Sequence, residues 1–311
     1  MSGALVFGGS GFIGQNLLNI SNQYSSVSLR DPHWNEHVDG AETWINLVGK
    51  AHDHKGLGTE MDYYYANVQL AKEVFEAFVL SEAKLLIHIS SLAAIEEFES
   101  DKALSENDDC SPVSWYGKSK RAAEEWLLSQ ELPNEKKLII LRPPMVHGPG
   151  DKGNLGLLYK FISKGIPYPL TAFDNKRSLI SIQNFCYFIE QIVERNHKLA
   201  TGIYHISDDE PISTSEIINI IKKITGKNTM NFSIPKFLIK GIAKIGDVIP
   251  IPLNTKRLKK LTSNLLISNQ YIKNKLTISN LPLTAKKGLE ITIRSFSEKN
   301  NLSSFSQEEM L

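Results

Sequence analysis

Short apolar runs alternate with longer amphipathic stretches along the first two thirds of the chain. Five runs have the composition of strands: ALVFGG from residue 4, SSVSLR from 25, TWINLVG from 43, KLLIHISS from 84 and KLIILRPP from 137. Helical patterns lie between them, in FIGQNLLNISNQ, VQLAKEVFEAFVLSE and SWYGKSKRAAEEWLL. This order predicts an α/β fold with a parallel sheet doubly wound by helices, whose ligands bind at the carboxyl ends of the strands.

The segment between the second and third runs is too short for a complete strand and helix. About a dozen residues separate Arg30 from Trp44, whereas a crossover helix with a further strand needs roughly twice that number. The sequence therefore predicts a sheet in which the third-strand unit is missing or shortened.

Beyond Met145 the pattern is less regular and indicates a second, smaller unit. FCYFIEQIVE predicts a helix and GIYHIS a strand. We predict a sheet domain of residues 1–145 and 180–206 and a C-terminal substrate-binding subdomain of residues 146–179 and 207–300. Residues 301–311 form a polar tail with little to bury, which we expect to be disordered.

Composition and charge exclude several classes of protein. A net charge of +1 lacks the basic excess of nucleic-acid-binding domains. Cys110 and Cys186 are too few for a disulfide framework, which favours a reducing, cytoplasmic setting. No run reaches the ~20 apolar residues that span a bilayer, and the first apolar run begins too early for a signal peptide.

One segment is strongly basic. Residues 222–260 carry ten Lys or Arg and one acidic residue, and they include the apolar stretch FLIKGIAKIGDVIPIPL. This composition predicts a solvated basic rim on a helical subdomain. The alternative is a face that binds the surface of a membrane.

A glycine-rich loop, VFGGSGFIG, follows the first predicted strand and opens the first predicted helix. Gly8, Gly11 and Gly14 permit a tight turn, so that backbone N–H groups and the helix N-terminus can bind a pyrophosphate, with Phe12 and Ile13 beside it. A tight turn without a ligand is the alternative. The position of the glycine-rich loop between strand and helix favours a Rossmann-type dinucleotide site.

The residues after the second predicted strand leave the choice of dinucleotide open. The stretch LRD places Arg30, which favours the 2′-phosphate of NADP, beside Asp31, which favours the free ribose diol of NAD. Either residue is also compatible with a simple surface charge.

Two Tyr-x-x-x-Lys pairs occur, and chance alone accounts for about one. Tyr116 and Lys120 lie one turn apart on a predicted helix, downstream of a strand that ends at Ser90 and Ser91. A nearby ammonium and an oxidised nicotinamide favour the phenolate, which lowers the pKa of a tyrosine toward values useful for proton transfer. The second pair, Tyr271 and Lys275, has no such surroundings and is predicted to be structural.

Several motifs in order resemble the extended short-chain dehydrogenases/reductases, the NAD-dependent epimerase/dehydratase family that acts on nucleotide sugars. The resemblance covers roughly residues 3 to 295 and rests on GGSGFIG, YYYANVQLAKEV, HISS, YGKSK and LRPPMVHGPG. It implies that Ser91, Tyr116 and Lys120 are catalytic. It implies that Asn67 supports the active site and that Pro143 belongs to the stretch closing over the nicotinamide of NAD or NADP.

The resemblance extends to the predicted substrate half. GDKGNLGLLYKF and DNKRSLISIQN resemble segments that hold the nucleotide diphosphate, so Asn154 is expected to contact diphosphate or uridine and Arg177 to bind a phosphate. The alternative for Arg177 is an ion pair with Asp174. NLVGKAH departs from the usual His-Leu-Ala-Ala and leaves Lys50 and His52 as candidate substrate contacts.

The resemblance implies an NAD(P)-dependent enzyme acting at C4 of a UDP-hexose or a UDP-4-keto-6-deoxy-N-acetylhexosamine, as a 4-epimerase or 4-ketoreductase in surface-polysaccharide synthesis. Leu92 and Ala93 follow Ser91 where a dehydratase carries Asp-Glu, which argues against dehydration. A non-catalytic dinucleotide-binding regulator and a membrane-surface accessory protein are the alternatives. The resemblance also implies a homodimer, while His88, His147, His205 and the acidic turn Asp208–Glu210 are expected to be structural or solvated.

Overall fold

The structure is a computed structural model of the 311-residue chain. It describes residues 3–38, 40–51, 57–151, 153–165, 173, 175–227, 235–248 and 254–308.

A six-stranded parallel sheet forms the centre of the molecule. In the order in which they pair, the strands are β2 (Tyr24–Val27), β1 (Ala4–Phe7), β3 (Thr43–Asn46), β4 (Leu85–Ile89), β6 (Lys137–Arg142) and β9 (Gly202–His205). The connection from β2 to β3 crosses from one side of β1 to the other. The order reverses at this point, so a crevice opens at the carboxyl ends of β1 and β3.

The shortened third unit that the sequence predicted is confirmed for the described residues between β2 and β3. They contain one 3₁₀ turn, Trp34–His37, and no strand. As a result β2 is an edge strand of the sheet.

Helices cover both faces because side chains alternate along each strand. On one face Phe7, Trp44 and Leu86 pack with α3 (Leu70–Leu80) and α4 (Trp115–Leu128). On the other face Val6 and Ile87 pack with α1 (Phe12–Ile20) and α6 (Ile182–Arg195). The helix α2 (Glu60–Tyr64) precedes α3 and is joined to it by a π-helical turn, Tyr65–Gln69.

A second apolar cluster lies outside the sheet. It joins α5 (Asn154–Ser163), α7 (Thr214–Thr225), α8 (Lys236–Gly246), α9 (Thr255–Thr262) and α11 (Ala285–Glu308). Two small sheets pair β7 (Met145–His147) with β8 (Leu179–Ser181), and β5 (Ala103–Leu104) with β10 (Leu266–Ile267). The remaining helix is α10 (Gln270–Leu276). The domain boundaries stated above remain a prediction.

The backbone of α11 is helical as far as Glu308, and the expected disorder of the polar tail stays a prediction. One expectation from the sequence is corrected here. In the acidic turn, Asp208 is buried rather than solvated: its carboxylate accepts hydrogen bonds from the Ser181 backbone and from Asn184 Nδ2 at 2.7 Å. In the described part of the chain, no helix has the length and apolar character to cross a membrane.

Candidate active site

The glycine loop lies between β1 and α1 and packs too closely for side chains at its glycines. Gly8 has φ +86°, and its carbonyl oxygen accepts a hydrogen bond from Gly11 N at 3.0 Å. A Cβ on Gly14 would lie 2.4 Å from Gly8 O, so only glycine lets α1 approach the loop this closely. Gly11 is the N-cap of α1 and has no side chain to cap it, which suits a helix N-terminus that binds a phosphate.

Phe12 and Ile13 begin α1 and are partly buried against the core. A Cβ on Gly148 would meet the ring of Phe12 at 3.2 Å, so this ring lies against the segment that follows β7. The loop therefore contacts the strand end that the sequence placed over the nicotinamide.

Arg30 and Asp31 follow β2 and are both exposed. The Asp31 carboxylate accepts a hydrogen bond from His33 N at 3.0 Å, which holds the turn before the 3₁₀ segment. The Arg30 backbone donates to Ser28 Oγ at 3.4 Å. Both side chains are exposed, and neither position by itself selects NAD or NADP.

Asn67 connects three parts of the predicted site. It is fully buried in the π-helical turn, a distortion often found at functional sites. Its Oδ1 accepts from Lys50 N at 2.8 Å, and its Nδ2 donates to Lys50 O at 3.1 Å and to Ser119 Oγ at 2.8 Å. A Cβ on Gly49 would lie 2.6 Å from Asn67 Oδ1, so Gly49 is required for this approach. Asn67 thus fixes the loop after β3 against α4.

Ser91 and Tyr116 face one another across the end of β4. The Ser91 hydroxyl lies close enough to the Tyr116 hydroxyl to favour the Tyr116 phenolate. Burial raises the pKa of Tyr116, the Ser91 hydroxyl opposes this, and the charge of Glu97 adds to the rise. The sequence predicted a tyrosine pKa lowered by Lys120. Burial outweighs the Ser91 hydroxyl, which favours the phenolate.

Lys120 lies one turn after Tyr116 on α4 and is buried. Its Nζ donates to the carbonyl oxygen of Ile89 at 2.8 Å, at the end of β4. Burial lowers the pKa of Lys120 to about 8, against the charge of Glu124, which raises it. A lysine with this pKa is still mostly protonated at pH 7 and begins to lose its proton just above neutral pH.

Ser90 points away from Ser91 and into a buried ion pair that the sequence analysis missed. Its Oγ donates to Glu124 Oε1 at 2.5 Å, and Arg142 donates to the same carboxylate from Nε at 2.8 Å and from Nη2 at 2.5 Å. Glu124 and Arg142 are both fully buried. Glu124 follows Lys120 by four residues on α4, a spacing that could have signalled the network. The opposite orientations of the two serines agree with the choice of Ser91.

Glu97 holds the start of α4, and the sequence analysis missed it as well. Its Oε1 accepts hydrogen bonds from Val113 N at 3.0 Å and Ser114 N at 2.7 Å. A Cβ on Gly117 would lie 2.4 Å from Ala93 O, so this glycine lets α4 pack on the 3₁₀ segment Leu92–Ala94. These contacts set the position of Tyr116 relative to Ser91.

The predicted substrate residues are dispersed. Asn154 is exposed at the first position of α5. The Arg177 guanidinium donates to the carbonyl oxygens of Phe98 and Ser263, both at 3.4 Å, and burial lowers the pKa of Arg177 to about 10. Lys50 Nζ lies 3.4 Å from Asp62 Oδ2. His52 and Asp174 lie outside the described residues.

Pro143 and the predicted structural histidines lie near the ends of the strands. Pro143 is buried, and its carbonyl oxygen accepts from Leu92 N at 2.8 Å. His88, His147 and His205 are buried, and burial lowers the pKa of each, to about 3, 4 and 4 respectively. All three are therefore neutral at physiological pH.

The second Tyr-x-x-x-Lys pair has different surroundings. The Tyr271 ring stacks on Tyr204 with centroids 5.4 Å apart, and Lys275 Nζ lies 5.6 Å from the centre of the Tyr271 ring. Tyr271 makes ring contacts here, whereas Tyr116 interacts with Ser91 at the end of a strand.

Comparison with known proteins identifies the family of the chain. Residues 4–206 match the model of the NAD dependent epimerase/dehydratase family. The chain belongs to this family. The resemblance noted in the sequence and the predicted fold class are thereby confirmed. The expected nicotinamide dinucleotide cofactor is confirmed too, because the family is NAD-dependent.

Individual relatives carry related names. The chain is 30% identical to a UDP-glucose 4-epimerase of Vibrio cholerae over 245 residues, which cover 75% of this chain and 68% of that protein. It is 26% identical to an N-acetyl-alpha-D-glucosaminyl-diphospho-ditrans,octacis-undecaprenol 4-epimerase of Escherichia coli O157:H7, over 74% of this chain and 75% of that one. A solved structure of MoeE5 in complex with UDP-glucose and NAD has a TM-score of 0.76 at 17% identity, covering 96% of this chain and 99% of that chain. At that identity the structural likeness concerns the fold.

Proposed function

We propose that the chain is an NAD(P)-dependent 4-epimerase of a hexose carried on a diphosphate, with a UDP-hexose as the first candidate substrate. The observation that carries the proposal is that Ser91 interacts with Tyr116 at the end of β4, where the buried Lys120 donates to the carbonyl oxygen of Ile89. Family membership and the names of the two 4-epimerase relatives support it.

The dinucleotide fits the residues present. Gly8, Gly11 and Gly14 would hold its pyrophosphate at the start of α1, since Gly8 and Gly14 permit the tight turn and no side chain caps the N-terminus of α1 at Gly11. Lys120 would hold its ribose, and Arg30 or Asp31 would contact the adenosine side. When bound, the nicotinamide accepts a hydride from a sugar carbon and returns it.

Ser91 and Tyr116 manage the proton of the reacting hydroxyl. Ser91 binds the C4 oxygen of the sugar, and the Tyr116 oxygen takes its proton as the C4 carbonyl forms and gives it back as the carbonyl is reduced. Because burial raises the pKa of Tyr116, the Ser91 hydroxyl and a positive charge at Lys120 are needed to make the phenolate accessible. Asn67 and Glu97 hold the segments that carry these groups.

A diphosphate is the feature common to the substrates named for the two relatives, UDP-glucose and a diphospho-undecaprenol sugar. Asn154, at the N-terminus of α5, and Arg177, whose guanidinium binds phosphate well, are proposed to bind it. Lys50 and His52 are proposed as further sugar contacts.

A 4-ketoreductase uses the same three catalytic residues and is the second candidate. The two reactions differ in the balance of cofactor. An epimerase ends each turnover with the cofactor it began with, whereas a reductase consumes one reduced cofactor for each sugar. We also propose a cytoplasmic homodimer in which the helices carrying Asn67 and Tyr116 pair with their copies.

The test uses the two Tyr-x-x-x-Lys pairs as matched variants. Purified wild-type protein, Tyr116→Phe and Tyr271→Phe are incubated with NAD or NADP and UDP-glucose, and the sugar product is identified by chromatography. The same proteins are given NADH or NADPH with a UDP-4-keto-6-deoxy-N-acetylhexosamine, and cofactor absorbance is followed. We expect Tyr116→Phe to reduce turnover by about 10²–10⁴-fold, and Tyr271→Phe to leave it within about twofold of wild type.

Each outcome separates the candidates. Formation of UDP-galactose without net change in cofactor absorbance supports the epimerase, and stoichiometric oxidation of the reduced cofactor supports the reductase instead. Dinucleotide binding without turnover on either substrate would favour the non-catalytic regulator. Equal activity of Tyr116→Phe and Tyr271→Phe would contradict the assigned role of Tyr116.

A further inference from the structure

Helix α8 carries apolar side chains on two different faces. Ile239 and Ala243 are buried in the cluster formed with α5, α7, α9 and α11. Phe237 is 71% exposed, Ile245 55%, and Val248, just beyond the helix, 85%. Leu238 and Ile242 are also exposed. The packing of the subdomain therefore uses only one of the two apolar faces.

The exposed apolar residues form one continuous arc. With 3.6 residues per turn, positions 237, 238, 242, 245 and 248 fall within about 140° of the helix circumference. Lys240 and Lys244 are exposed and lie beside this arc, on the side away from Ile242. Single exposed apolar residues are ordinary on a protein surface, but a continuous arc of five indicates a partner.

The segment of sequence that contains the arc is basic. Residues 222–260 hold ten basic residues and one acidic residue, Asp247. Asp247 accepts hydrogen bonds from the backbone and side chain of Thr255, at 2.9 and 2.5 Å, so its carboxylate caps the start of α9. An apolar arc flanked by lysines is complementary to a surface that is apolar within and anionic outside.

We propose that the α8 arc, defined as Phe237, Leu238, Ile242, Ile245 and Val248 with the flanking Lys240 and Lys244, binds the surface of an anionic lipid bilayer. The helix lies in the interface plane, its apolar side chains enter the headgroup boundary, and the lysines contact lipid phosphates. An eleven-residue helix is too short to span a bilayer and suits this orientation. The sequence favoured a solvated basic rim, but composition does not reveal which apolar side chains the fold leaves outside. This surface does not depend on the chemistry proposed above.

Vesicle flotation tests the proposal without any measurement of activity. Full-length protein is mixed with vesicles of phosphatidylethanolamine and phosphatidylglycerol, or of phosphatidylcholine alone, and the fraction that floats is measured at low and high NaCl. The variants are Phe237→Gln/Ile245→Gln and Lys240→Gln/Lys244→Gln. The control is Leu80→Gln, which removes an apolar side chain that is 88% exposed at the end of α3. Circular dichroism confirms that each variant is folded.

We expect wild-type protein and Leu80→Gln to float with the anionic vesicles and to dissociate as salt increases. The Phe237/Ile245 variant is expected to lose at least about tenfold in partition coefficient. The Lys240/Lys244 variant is expected to lose about 25-fold on anionic vesicles and little on phosphatidylcholine.

Three results would overturn the proposal. In the first, wild-type protein stays unbound at low salt. In the second, Phe237→Gln/Ile245→Gln floats as well as wild type. In the third, sedimentation velocity without lipid shows an oligomer that is lost in Phe237→Gln/Ile245→Gln and kept in the other variants, since the arc would then bind a second copy of the chain.

Discussion

Two buried clusters near the ends of the strands handle titratable side chains in opposite ways. Beneath the predicted catalytic residues, Glu124 and Arg142 are fully buried and joined by two hydrogen bonds of 2.8 and 2.5 Å. Between β7, β8 and α11, His147 Nε2 lies 3.9 Å from Asp208 Oδ2, and burial shifts the pKa of each toward its neutral form. In the first cluster the two side chains form an ion pair at hydrogen-bonding distance, whereas in the second burial favours the neutral form of each side chain.

The two clusters hold different parts of the structure in place. Glu124 connects α4, which carries Tyr116 and Lys120, to the ends of β4 and β6 through Ser90 and Arg142. A bidentate ion pair has one geometry, so it fixes the helix in one position. In the second cluster His147 Nδ1 lies 3.0 Å from Thr292 Oγ1, and Asn184 donates to Asp208, contacts that need no full charge. The comparison predicts different responses to substitution and to pH.

The largest effect is expected from removing the charge of Glu124. Glu124→Gln leaves the Arg142 guanidinium buried without its anionic partner, which costs about 3–5 kcal/mol of unfolding free energy. Urea denaturation measures it. Glu125→Gln is the matched control, because this neighbour lies on the same helix and pairs with Arg121 at the surface, where such a pair contributes less than about 1 kcal/mol. Equal costs for the two variants would contradict the proposed pairing.

Asp208 is expected to give the next effect, and it depends on pH. Burial raises the pKa of Asp208 from 3.8 to about 6, so the folded protein binds this proton more tightly than the unfolded chain. Its contribution to the unfolding free energy is present below pH 4 and is lost as pH rises through 6, by about 3 kcal/mol. Asp208→Asn removes that change. Urea titrations of both proteins between pH 4 and 7 should show a widening difference in favour of the variant, and a constant difference would rule out the shifted carboxyl.

Lys120 is expected to show the smallest change in stability and to separate stability from activity. The pKa of Lys120 falls from 10.5 to about 8, so its charged form destabilises the fold below pH 8, and this penalty disappears as pH rises toward 10.5. Lys120→Met should therefore raise the unfolding free energy by about 1–2 kcal/mol at pH 7, once the cost of the lost hydrogen bond to Ile89 is subtracted. The gain should shrink between pH 8 and 10.5 in thermal unfolding, while turnover falls at all pH values. A variant less stable than wild type at pH 7 would show that the ammonium stabilises the fold.

Much of the fold follows from local sequence. Strands appear as short continuous apolar runs such as ALVFGG, because both faces of the parallel sheet are buried. Helices appear where apolar positions recur every three to four residues, because that period places them on one face. The shortened third unit followed from chain length between Arg30 and Trp44, since a chain of that length has no room for a crossover helix. The glycine loop was equally readable, because Gly8 and Gly14 occupy positions where a side chain would clash with backbone.

Only the tertiary structure decided how distant residues meet. The sequence could place Ser90 and Ser91 at the end of a strand, but the burial of Glu124 and Arg142 decides that Ser90 turns inward while Ser91 faces Tyr116. Burial also decided the protonation tendencies, since a pKa depends on neighbours and solvent from several elements rather than on local sequence. For the same reason the apolar residues of α8 could be recognised in the sequence, but their division into a packed face and an exposed arc required the packed subdomain.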